Sequence, residues 1–78
     1  MTTKEKLDWL VQPDNIGFDE GVLANLFTID ENVESLICNE LEKEGVLERR
    51  LEKDGVLWAY LKQDKNKMLE IIEKYINK

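Results

Sequence analysis

Few residues in this chain have the type and spacing to do covalent chemistry. The carboxylate pairs Asp19-Glu20 and Asp30-Glu31 are the first candidates for acid–base work or for a metal. Both stand just ahead of apolar stripes with helical spacing, where acids favour the positive end of the helix dipole. Helix capping therefore accounts for them. Cys38 is the single thiol, and a cysteine nucleophile needs a base that a chain without histidine does not supply. The same composition removes the usual thiolate and imidazole ligands of zinc. One cysteine forms no intramolecular disulfide. The four glycines are scattered and build no phosphate-cradling loop. These residues point to no catalytic group, no metal and no cofactor, and away from an enzyme.

The elements that would position any site follow from hydrophobic period and punctuation. Thr2 precedes Glu5 by three residues, which is capping-box spacing, and Leu7, Leu10 and Val11 then share a helical face that Pro13 ends. Trp9 lies off that stripe, as a ring lying across a shallow groove would. Asp14 to Gly17 reads as a loop. Asp19 reads as a helix cap, with Phe18 and Leu23 at hydrophobic-staple spacing. Val22, Leu23, Leu26 and Phe27 make the stripe of a second, short helix. Thr28 and Glu31 again have capping-box spacing, with Asp30 as an alternative cap. A third helix runs from about Asp30 to Glu44 and stops at Gly45. Its apolar side is Val33, Leu36, Ile37 and Leu41, with Cys38 at the margin, and its polar side shows Asn32, Ser35, Asn39 and Glu42.

The period then changes to that of strands over Val46–Glu52 and Val56–Lys62. Asp54-Gly55 between them is a strong hairpin signal, and a two-residue turn there would pair Leu51 with Trp58 and Arg49 with Tyr60. The second strand is apolar on both faces, so its register is open and one face is a candidate for cover by another element or chain. A last helix spans about Asp64 to Asn77, with Met68, Leu69, Ile71, Ile72, Tyr75 and Ile76 on one side.

Length and charge bound the rest. The 78 residues make one domain with a small core, residues 1–78. The net charge is −6, unevenly spread: −9 through Glu48, and +3 from Arg49 onward. An acidic chain repels phosphate backbones and anionic membranes on average. The longest apolar run, Val56 to Leu61, is too short to span a bilayer, and no signal peptide is apparent at the start. A cytoplasmic protein is the expectation.

Three helices, a two-stranded hairpin and a C-terminal helix make an α+β chain. Leu41-Glu42-Lys43-Glu44-Gly45-Val46-Leu47-Glu48-Arg49 resembles the end of a recognition helix running into a first wing strand. Tyr60-Leu61-Lys62 resembles the close of the second. In this order of elements the chain resembles the winged helix-turn-helix superfamily, in the manner of small prokaryotic transcriptional regulators. That resemblance implies a third helix in the DNA major groove and a wing on the backbone or minor groove. Asn32, Ser35 and Asn39 then become base-reading candidates. Arg49, Arg50 and Lys53 become phosphate or minor-groove contacts. The departure from the family is the stretch Ile29–Glu42, which carries five acids and no Lys or Arg.

The resemblance also implies a homodimer through the terminal helix, with Met68, Leu69, Ile72, Tyr75 and Ile76 as its interface. The sequence thus yields a DNA-binding regulator acting as a dimer. The alternative is an acidic winged-helix module that binds protein and not DNA, supported by the charge and by Trp9 and Trp58. The two separate on whether the basic residues after Arg49 gather on the face that the third helix presents.

Overall fold

Capping decides where the first helix begins. The computed structural model describes residues 1–14 and 17–76, and in it α1 spans Thr3–Leu10. Thr2 Oγ1 accepts the Glu5 amide at 3.1 Å, and Glu5 Oε1 accepts the Thr2 amide at 3.1 Å, which closes the expected capping box. Leu7 and Val11 are buried, and Trp9 is exposed.

A strand then intervenes that the sequence reading missed. β1, Gly17–Asp19, buries Phe18 and pairs antiparallel with a later strand. Residues 15 and 16, part of the loop expected at Asp14–Gly17, lie outside the described residues. Asp19 is not the cap of the second helix. Its Oδ1 accepts the Gly21 amide at 2.8 Å, turning the chain into α2, Val22–Leu26. The helix is capped instead from afar: Glu34 Oε2 accepts the Ala24 amide at 2.6 Å.

Thr28 does not cap the third helix either. It takes φ +53° at the end of α2, where the Ile29 amide reaches back to the Ala24 carbonyl at 3.0 Å. That is the left-handed position of a helix stop, usually glycine. Asp30 is the N-cap of α3, Glu31–Lys43, its side chain accepting the Val33 amide. Gly45, at φ +73°, ends α3. The Val46 amide bonds to the Leu41 carbonyl at 2.8 Å and the Gly45 amide to that of Glu42 at 3.0 Å, both bonds of a Schellman motif. Leu41 and Val46 are fully enclosed beside it. The expected apolar face is rotated slightly: Cys38 is wholly buried, whereas Leu36 is 53% exposed.

β2, Leu47–Leu51, and β3, Leu57–Leu61, form the hairpin. The register is Leu47↔Leu61, Arg49↔Ala59, Arg50↔Trp58 and Leu51↔Leu57, one residue away from the expected pairing. The cause is the turn. Of Asp54 and Gly55, only Gly55 takes positive φ (+80°), and Asp54 instead accepts the Val56 amide at 3.0 Å. The loop is therefore three residues, Lys53 to Gly55, a tight turn followed by a left-handed glycine. β3 is central in a three-stranded antiparallel sheet of order β1-β3-β2. The fold is α+β: among the described residues, four helices and that sheet.

α4, Lys65–Ile76, closes the core; Asn77, the expected end, lies outside the described residues. It packs against α1 and α3. Leu7, Leu23, Ile37, Leu41, Met68 and Ile72 are the largest side chains of the shared interior.

Candidate nucleic-acid interface

The exposed face of α3 carries Asn32, Ser35 and Asn39 as the sequence implied, with Leu36 between them. Helical spacing puts these four on one side. Leu36 was misread because a 3.6-residue period leaves a borderline position free to fall either way, and here Cys38 took the inward place.

Arg49 sits on the core-facing side of β2, and its side chain is only 22% exposed. Its Nη1 bonds to Glu20 Oε1 at 3.2 Å and its Nη2 to Glu42 Oε1 at 2.9 Å. Nε donates to the other Glu42 oxygen at 3.3 Å, so Glu42 grips the guanidinium at two points. Nη2 also donates to Asn39 Oδ1 at 2.9 Å. The hydrogen bonds that Arg49 donates to Glu42 raise the Arg49 pKa further above its ordinary value and hold the Glu42 carboxyl below the usual range. Arg49 thus ties the wing to α3 and to the turn after β1.

Two of the implied DNA contacts, Asn39 and Arg49, therefore meet, but they meet each other. Beside them Glu20 Oε2 is enclosed without a hydrogen-bond partner. Burial, with the Glu20 and Glu34 carboxylates nearby, pushes the Cys38 thiol up to about 12.

Arg50 points to the opposite face of the sheet, as strand alternation requires. It pairs with Glu48 at 2.6 Å and lies over the Tyr60 ring at 4.8 Å. Lys53 is exposed in the hairpin loop. Downstream, Lys65 pairs with Asp8 at 2.8 Å and Lys74 with Glu40 at 2.6 Å. The basic half of the chain is thus distributed over several faces: Arg49, Arg50, Lys65 and Lys74 pair with acids of the first half, and Lys67 lies 4.0 Å from Glu70 of its own helix. No local spacing in the sequence reveals the Glu20–Arg49 pair, whose members are 29 residues apart.

The residues implied for a dimer divide as well. Met68 and Ile72 are wholly enclosed by this chain's own core, so neither offers surface to a second copy. Leu69, Tyr75 and Ile76 are partly exposed and pack against the core's margin. The Tyr75 hydroxyl bonds to Glu40 at 2.6 Å.

Among the described residues no group of three or more His, Cys, Asp or Glu is placed to hold a metal ion, and no helix is long and apolar enough to cross a membrane. No family model, curated protein or solved structure matches the chain.

Proposed function

We propose that this chain is a winged-helix module that binds another protein and not duplex DNA. The order of elements, with β1 joining the hairpin at β3, supports the winged-helix part of this reading. The observation that carries the rest is the state of Arg49. It is the wing residue that reaches α3, and Glu20, Glu42 and Asn39 already satisfy it. To meet a phosphate it would have to leave two carboxylates behind, unpaired and beside the duplex. Glu31 remains exposed on α3 itself, and an uncompensated acid near phosphates opposes binding.

A second reading, the DNA-binding dimer, is favoured by one specific observation: Asn32 and Ser35 are exposed side by side with no internal partner among the described residues. A salt titration against mixed-sequence duplex separates the two. The protein-binding reading expects no salt-dependent association even at low ionic strength. Binding whose logarithm falls linearly with the logarithm of salt concentration would overturn it.

A further inference from the structure

A groove opens where the end of α1 meets the face of the sheet opposite the core. Its volume is about 340 Å³, and Trp9, Leu10, Gln12, Asp19, Val22 and Trp58 are among its lining residues. Trp9 is 59% exposed, so its indole contributes little to the core. Trp58 is held in place: its indole N–H reaches Asp54 Oδ2 at 3.3 Å. The strand register sets Asp19 directly beside Trp58 on the same face. Asp19 spends Oδ1 on the Gly21 amide, which leaves Oδ2 without a hydrogen-bond partner among the described residues.

The charge of this lining is one-sided. Asp19 is its one charged residue among those described, and the other walls are aromatic and aliphatic, with the neutral amide of Gln12 among them. Indole faces attract cations, and a carboxylate beside them adds direct pairing. An anionic ligand would meet Asp19, and Arg50, opposite Trp58 in the register, is already paired with Glu48 at 2.6 Å. A second copy of this chain carries the same −6 and is repelled at long range.

We propose that this groove takes an arginine or lysine side chain from an extended, basic segment of a partner protein. The proposal rests on the protein-binding reading and adds the place and the chemistry of the partner. Trp9 supplies an exposed aromatic wall, Trp58 one tied to Asp54, and Asp19 the counter-charge.

The test uses the whole chain labelled with nitrogen-15, reading the two indole N–H signals and the backbone amides of Gly17 and Asp19. The probe is a glycine-flanked peptide with two arginines; its comparison is the same peptide with citrulline, which keeps the shape and removes the charge. The expected result is saturable movement of both indole signals with the arginine peptide, and binding about tenfold weaker or worse with citrulline. Trp9→Ala and Asp19→Asn each weaken the arginine peptide by about tenfold. Neither variant threatens the fold, because Trp9 is exposed and Asn can accept the Gly21 amide as Asp does. Leu36→Ala, on the exposed face of α3 and outside the groove's lining, leaves binding unchanged. Absence of saturation, equal response to citrulline, or indole shifts that follow protein concentration in place of peptide would each overturn the proposal. The duplex titration is separate: salt-dependent DNA binding sinks the underlying reading, whereas a silent groove with no DNA binding sinks this proposal alone.

Discussion

At the scale of single residues, Arg49 separates a structural role from a recognition role. Arg49→Ala leaves Glu20 and Glu42 facing each other without their cation, and Asn39 without its donor. A loss of about 1–3 kcal/mol in urea unfolding is expected, with no change in duplex binding. A variant as stable as the parent would mean that the network is a surface arrangement of little weight. Cys38 gives a second test. A thiol pushed up to about 12 by burial holds almost no thiolate at neutral pH. Its reaction with a disulfide reagent should be slower than in the urea-unfolded chain by about a hundredfold or more. Rapid labelling of the folded protein would show that α3 opens locally.

At the scale of elements, the stop of α2 is the weak joint. Thr28 is β-branched and sits at φ +53°, a conformation that costs an L-residue roughly 1–2 kcal/mol. Glycine accepts it freely but loses more entropy on folding. Thr28→Gly should therefore stabilise the chain by about 0.5–1 kcal/mol, read as a raised unfolding midpoint. A lower midpoint would mean that the threonine side chain makes a compensating contact.

The same element shows why some of the fold was legible in the sequence and some was not. The capping box of α1, the glycine stop of α3 and the existence of the hairpin are local events, written within six residues of one another. β1 is not local. Three residues carry it, only Phe18 is buried, and its partner is β3, some forty residues on. The hairpin register hinged on whether Asp54 takes positive φ, and its own side-chain bond to the Val56 amide decided against. For the candidate interface, the exposure of Asn32, Ser35 and Asn39 on α3 was readable from periodicity, though that of Leu36 was not. The neutralisation of Arg49 was not, because Glu20 arrives from another element.

At the scale of the whole molecule, acid should be destabilising. Hydrogen bonds from Thr2, from Lys65 and Lys4, from Lys74 and Tyr75, and from Arg49 hold Glu5, Asp8, Glu40 and Glu42 respectively below the ordinary carboxylate range. A carboxyl with a lowered folded pKa stabilises the fold above its unfolded value, and that contribution is lost as pH falls through the folded one. Glu34, raised by burial, works in the opposite sense and is one against four. The urea midpoint should fall steadily from about pH 6 to about pH 3. A flat profile would show that these pairs form as readily in the unfolded chain.

The packing of α4 against α1 has a consequence for synthesis. Leu7 near one end and Met68 and Ile72 near the other share a single interior. A nascent chain that has reached Leu61 already holds the strands and the first three helices, yet the wall that encloses Leu7 has not left the ribosome. Until α4 follows, that apolar surface stays open to water and to whatever else binds it, so a chaperone has its opportunity before the last helix emerges and little afterwards.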